Sequence, residues 1–302
     1  MLGSFFRSLA DNGAARALIA GNPVGRRLAS RFVAGETLDD ALTVAADISE
    51  RGMTTALAYL GEHVTDEAQA EEAVAVYVRA ASELHDHNLP AYLSPKLTQL
   101  GLDISEEVCR SNLGRILEAS AASGIFVRVD MEGSAYTDTT LRVVEDLHRT
   151  FPNLGTVLQS YLHRTSDDLN RLIAQEVPVR IVKGAYNEPE EIAYQKQRQV
   201  EESYRTLVEK ALASGNPTAI ATHNDGLLAH ARQFAASHEV PLDRFEFQML
   251  YGIRRSEQEK LAAAGFNMRV YVPFGPQWYP YFMRRLGERP ANVMFLVRNL
   301  PR

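Results

Sequence analysis

The sequence predicts an α/β fold closed into a (β/α)8 barrel, and two observations predict it. Eight short β-rich apolar runs alternate with helical patterns along the 302 residues, the order that joins parallel strands by crossover helices. Just past the C-terminal end of run after run stands a polar or charged residue, which is where such a barrel assembles its chemistry. There is no linker, low-complexity stretch or break in composition, so the eight units read as one closed barrel, with an open doubly wound sheet as the alternative.

The elements follow in order. The first 32 residues hold Arg7, Arg16, Arg26, Arg27 and Arg31 against one acid, Asp11, with Phe5, Phe6, Leu9, Leu18 and Ile19 between them. A basic amphipathic segment of this kind suits an anionic membrane surface or a targeting role; the other reading is a helical arm packed on the domain. The arm is taken as residues 1–50 and the barrel as residues 51–302. Thr37 with Asp40 three residues on marks a helix start, as does Thr165 with Asp168, and Ser256 opens a helical segment that stops at Gly265. Strands are read at Thr54–Tyr59, Ala91–Leu93, Ile125–Val129, Thr156–Leu158, Val179–Val182, Thr218–Ala221, Phe245–Met249 and Met268–Val272.

The barrel reading demands chemistry at the strand ends. Strand 1 ends in Gly61 and Glu62, strand 2 runs into Lys96, strand 3 ends at Asp130 and strand 4 at Gln159. Strand 5 includes Arg180 and runs out at Lys183, Gly184 and Ala185. Strand 6 gives Thr222, His223 and Asn224, strand 7 gives Gln248, and strand 8 carries Tyr271.

Composition removes several classes of function. Hydrophobic residues at 45% and charged residues at 23% are those of an ordinary soluble globular protein, and a net charge of −6 argues against a dedicated nucleic-acid binder. The single cysteine, Cys109, permits no intrachain disulfide and no cysteine-based metal cluster, which fits a reducing compartment. No apolar run approaches the roughly 20 residues needed to span a bilayer. A Rossmann fingerprint and a phosphate-binding P-loop are both missing, as is any tight metal-ligand motif, and His85 with His87 read as solvent-facing, so no metal is expected.

What remains points to a small acidic ligand. After the apolar run Met268–Val272 and the turn Pro273-Phe274-Gly275, a short aromatic helix carries Arg284 and Arg285 side by side. Adjacent guanidiniums repel each other, so a buried pair implies a carboxylate or phosphate held by forked hydrogen bonds; the other reading is a solvated helix edge. Lys183 suits a Schiff-base lysine or a contact to a phosphate or flavin carbonyl. Arg180 stands three positions earlier, on the opposite face unless the strand turns at Lys183. Asp130 orients a cation, acts as a base or makes a structural salt bridge; His223 is an acid–base group or a cofactor-holding hydrogen-bond partner. Trp278, Tyr279, Tyr281 and Phe282 read as core packing or as a stacking platform.

Taken together, RFVAGETL, LGE, KLTQLGL, VRVDMEG, VLQSYL, VRIVKGAY, ATHND, FEFQMLYG and YVPFGPQWYPYFMRRLGERP cover nearly the whole chain. In these segments it resembles the flavin-dependent proline dehydrogenases, specifically the short monofunctional bacterial type, and is similar to the corresponding domain of the bifunctional proline-utilisation flavoproteins. The resemblance implies a distorted (β/α)8 barrel that binds FAD non-covalently, oxidises L-proline to Δ1-pyrroline-5-carboxylate and passes electrons to a membrane quinone. It also implies a cytoplasmic protein with peripheral contact at the inner membrane face, and leaves open direct hand-over of product to pyrroline-5-carboxylate dehydrogenase. By motif, Lys96, Arg284 and Arg285 correspond to a carboxylate clamp, with Tyr271 and Leu250 around the ring. Asp130 and Arg180 correspond to the active-site pair, Arg180 near the flavin. Met131, Gln159, Lys183, Gly184, Ala185, Thr222, His223 and Glu288 correspond to FAD contacts, and Glu62 with Arg284 to a gating pair. Two rivals stand beside this reading: a Schiff-base lyase or aldolase built on Lys183, and a catalytically dead barrel that binds proline without turnover.

Overall fold

The computed structural model describes residues 29–287; the basic segment before residue 29 and the expected contact Glu288 lie outside them. Eight parallel strands close into a barrel in sequence order: β1 (Thr54–Tyr59), β2 (Ala91–Leu93), β3 (Val127–Val129), β4 (Leu154–Gln159), β5 (Val179–Val182), β6 (Thr218–Ala221), β7 (Phe245–Leu250) and β8 (Met268–Phe274). β1 pairs with both β2 and β8, which closes the ring and removes the open-sheet alternative. Around it run α1 (Leu38–Glu50), α2 (Glu67–Asp86), α3 (Glu106–Ala122), α4 (Ser134–His148), α5 (Thr165–Ala174), α6 (Gln197–Ala213), α7 (Asp225–Ser237) and α8 (Arg255–Ala263), and α9 (Trp278–Gly287) follows β8.

Strand alternation places Val127, Val129, Val179 and Ile181 in the apolar layer between sheet and helices, while Arg128 and Arg180 on the other face meet inside the barrel. The interior below the mouth is therefore polar, where barrels of this kind more often stack branched aliphatics. Arg269 donates from Nε to both oxygens of Glu246 (3.0 and 2.9 Å) and from Nη1 to the Thr55 carbonyl (2.8 Å). Arg128 reaches the carbonyls of Thr156 (3.3 Å) and Pro178 (3.2 Å).

Where the element bounds differ from the sequence reading, the backbone gives the reason. β3 starts at Val127 because the Ile125 N–H donates to Ser120 O (2.8 Å) and closes the end of α3. β8 continues through Pro273 to Phe274; Pro273 lies opposite Ala58, and its carbonyl accepts from Ala34 N (2.9 Å). Thr37 forms the expected capping box with Asp40. Thr165 does not cap α5: its hydroxyl turns back to Gln159 O (2.6 Å), and Asp168 is held by Arg164 instead. Ser256 lies inside the first turn of α8, which begins at Arg255 after Arg254 in a left-handed conformation.

The C-terminal aromatic helix covers the mouth. Trp278, Tyr279, Tyr281, Phe282 and Met283 pack with Phe32, Leu60 and Ile253, and Trp278 Nε1 donates to Glu36 Oε1 (2.9 Å). Core packing is thus the role of most of this cluster, and it fixes the direction from which Arg284 and Arg285 enter the site.

Candidate active site

One cavity of about 740 Å3 opens at the C-terminal ends of the strands. Every sequence-predicted site residue among those described lines it: Glu62, Lys96, Asp130, Met131, Gln159, Arg180, Lys183, Gly184, Ala185, Thr222, His223, Leu250, Tyr271, Arg284 and Arg285.

At its centre Asp130, one residue past β3, binds three partners. Its Oδ1 accepts from Arg180 Nη1 (2.6 Å) and Ser94 Oγ (2.8 Å), and its Oδ2 accepts from the Tyr271 hydroxyl (2.7 Å). Arg180 Nη2 donates to Tyr92 Oη (2.9 Å) and Ser94 Oγ (3.2 Å). Asp130 and Arg180 are 8% and 4% exposed, a sheltered pair whose interactions are little screened by solvent. Burial, and after it the Asp130 charge, push the Tyr271 phenol well above its usual range, so Tyr271 is a neutral donor.

Toward α9 the cavity is cationic. Arg284 Nη1 meets Glu62 Oε1 at 2.6 Å, and the Arg285 guanidinium lies 5.3 Å from the Tyr281 ring centroid. The neighbouring arginines thus engage different partners while both reach the cavity. Burial pushes Glu62 up, but the charges of Lys96 and Arg284 outweigh it and hold the carboxyl below the usual range. Behind Lys96 lies Glu132, 1% exposed, which accepts from Thr98 N (3.1 Å) and Thr98 Oγ1 (2.6 Å). Burial raises its carboxyl in spite of these bonds and of the nearby Lys96 charge.

On the other side, β5 ends at Val182 and Gly184 turns the chain with φ of 110°, so Arg180 and Lys183 both face the cavity despite their odd spacing. A Cβ at Gly184 would lie 2.2 Å from the Tyr161 ring; only glycine lets the backbone pass here. Lys183 Nζ pairs with Glu201 Oε1 (2.8 Å) and keeps 28% of its side chain exposed, the opposite of the desolvated amine a Schiff-base lysine needs. His223 Nε2 accepts from Leu250 N (3.0 Å), which ties β6 to β7 and engages that ring nitrogen. Gln159 Nε2 donates to Glu132 O (2.9 Å).

The sequence reading missed Tyr92, Ser94, Glu132 and Glu201. Ser94 and Glu132 flank residues it did select, Lys96 and Asp130; Glu201, one turn into α6, collects Lys183, Gln197 and Asn224, and nothing local in the sequence announces it. Among the described residues no three His, Cys, Asp or Glu side chains gather to hold a metal ion, and no helix is long and apolar enough to cross a membrane.

A family model for proline dehydrogenase matches residues 41–298, the whole barrel and its mouth. The chain belongs to the proline dehydrogenase family. Members of this family are oxidoreductases that convert proline to Δ1-pyrroline-5-carboxylate. Proline dehydrogenase 1 of Bacillus subtilis (strain 168) is 39% identical over 277 residues, 91% of this chain and 92% of that protein. The proline dehydrogenase of Deinococcus radiodurans is 37% identical over 278 residues, 90% of each chain. Among solved structures, proline utilization A from Bdellovibrio bacteriovorus inactivated by N-propargylglycine superposes with a TM-score of 0.80 at 26% identity. That match covers 87% of this chain and 32% of the longer one, so this chain spans about a third of it.

Proposed function

We propose that the chain oxidises L-proline with FAD bound in the barrel mouth and passes the electrons to a quinone. One observation carries the reading: Lys96, Arg284 and Arg285 line the same cavity as the Asp130–Arg180–Tyr271 network. Three cations suit a single carboxylate, and a buried, fixed network beside them suits orientation of the rest of a small ring.

The residues present fit FAD. Arg180 Nε is buried without a hydrogen-bond partner among the described residues, and Gly184 gives a backbone stretch that can approach a ligand closely. Lys183, Gly184, Ala185, Thr222 and His223 would hold the cofactor on the β5–β6 side, with Met131 and Gln159 beside them; Glu288, outside the described residues, is a further contact by motif. When bound, FAD supplies the acceptor for a hydride from proline Cδ.

The remaining work belongs to the protein. Lys96, Arg284 and Arg285 bind the proline carboxylate, and Tyr271 and Leu250 bound the ring, so that Cδ is presented rather than another carbon. Asp130 holds Arg180 and Tyr271 in fixed positions. Glu62 and Arg284 act as a gate that closes over substrate and excludes water. The chain works in the cytoplasm with peripheral contact at the inner face of the membrane, where a quinone is available. The product makes pyrroline-5-carboxylate dehydrogenase the partner downstream.

The deciding experiment is an absorption spectrum before and after anaerobic addition of L-proline. Flavin bands at roughly 380 and 450 nm that bleach with proline support the reading. A colourless protein that stays inert after added FAD overturns it, and bands indifferent to proline keep the cofactor while discarding the substrate.

A further inference from the structure

We propose that Tyr92 is a positioning residue for the oxidation: from the barrel floor it locks the Arg180 guanidinium in place beneath the cavity. The proposal rests on the flavoenzyme reading and adds a residue to it.

Arg180 has five N–H groups in a rigid planar fork. Nη1 is committed to Asp130 (2.6 Å), and Nη2 to Tyr92 Oη (2.9 Å) and Ser94 Oγ (3.2 Å). Nε is buried and has no partner among the described residues, while Arg180 itself lines the cavity. Ser94 is the longer of the two Nη2 contacts, so without Tyr92 the Nη2 side of the fork is held only by that bond. Tyr92 restrains the far side of the fork.

Tyr92 is built to hold still. It is 3% exposed and does not line the cavity, so it can act on the ligand only through another group. Its oxygen also accepts from Gln248 Nε2 (2.6 Å), and Gln248 donates in turn to Glu246, the partner of Arg269. The Arg269 guanidinium lies 4.2 Å from the Tyr92 ring centroid and that of Arg128 5.5 Å, with the Phe126 ring edge-on at 5.5 Å. Cations and an aromatic edge on the ring, with two donors on the hydroxyl, leave one position for it. The arch runs from β8 and β7 to β2 and then to Arg180 on β5.

A fixed cation matters most where electron density gathers as the substrate is oxidised, because a preorganised donor needs no reorientation at that moment. Tyr92→Phe removes the hydroxyl and keeps the ring. Arg180 Nη2 retains Ser94 and Gln248 Nε2 retains Glu246, so each nitrogen keeps one partner and the variant is expected to fold. With flavin content unchanged, kcat should fall about tenfold while KM for L-proline stays within about twofold. The flavin reduction equilibrium should shift about tenfold toward the oxidised form, about 30 mV for two electrons. Wild-type kcat and potential in Y92F overturn the proposal, and so does a lower Tm with an unchanged potential, the mark of a purely structural role. Should Y92F not fold, Ser94→Ala removes the other acceptor of Nη2 and must shift the potential the same way, or the proposal fails. Failure of the underlying reading looks different: the wild-type protein itself would show no flavin bands or no bleaching.

Discussion

Replacing Glu62 with alanine tests the gate directly. Glu62 and Arg284 meet at 2.6 Å with 25% and 36% of their side chains exposed. A hydrogen bond between charged groups contributes about 1.5–3 kcal/mol when sheltered, and solvent at this exposure brings that to about 1 kcal/mol. If closure over proline uses this bond, its loss lowers kcat/KM about fivefold to tenfold. A second effect works in the other direction on binding. Glu62 couples electrostatically to Lys96 as well as to Arg284, so its removal leaves the proposed carboxylate clamp more positive and should attract the free substrate more strongly. KM should therefore hold or fall, and the loss should appear in kcat. Steady-state kinetics on E62A, with the flavin-to-protein ratio measured from the same preparations, decides the matter, and E62Q, which keeps a hydrogen-bond acceptor without the charge, should recover part of the rate. Wild-type kcat in E62A refutes the gate, as does a loss that follows flavin content alone.

Three further outcomes are expected. Because the Lys96 and Arg284 charges hold Glu62 below its ordinary range, its carboxylate stays ionised from about pH 6 to about pH 9, and any pH dependence there comes from elsewhere; kcat/KM should rise as the substrate amine loses its proton, and a flat profile contradicts this. Glu132 has its carboxyl raised by burial, so the folded state binds the proton more tightly than the unfolded one, and this contribution to stability is lost as pH rises from 4.5 through the folded value. Thermal melts of Glu132→Gln should accordingly lose less stability over that range than the wild type; parallel curves would exclude Glu132 as the source. Gly184→Ala must fit a Cβ 2.2 Å from the buried Tyr161 ring at a φ of 110°, which costs about 2 kcal/mol or more and should lower both Tm and retained flavin, whereas an unchanged melt and full flavin would show that the loop yields.

The fold was legible because each strand is short, apolar and bounded by turn residues, and β1, β2, β5 and β6 have the bounds that this pattern gives. Its polar strand ends were legible because a barrel sends those positions to one face. Tyr92 was not, since a tyrosine inside Ala-Tyr-Leu reads as core; only closure of the barrel brings its hydroxyl to Arg180 from 88 residues away. Thr165 misled because a serine or threonine three residues before an acid is a cap only if its backbone is extended, and Arg164 ahead of it is helical. For Arg180 and Lys183, alternation predicts opposite faces until the strand stops, and the stop at Val182 is set by Gly184.

The polar interior gives these separate observations one cause. Arg128, Arg180 and Arg269 meet Asp130 and Glu246 within the barrel, three cations against two anions among the described residues. Burial lowers the Arg128 guanidinium and pushes Glu246 up, but Arg269 and Arg128 more than offset the latter and hold Glu246 below its ordinary range. Such a layer costs desolvation that branched aliphatics would not. What it supplies is a rigid floor with positive charge in excess, directly beneath Arg180. A cavity whose ligand gains electrons during the reaction is the setting in which that excess is useful, because the protein charge is in place before the electrons arrive and stabilises the reduced state more than the oxidised one.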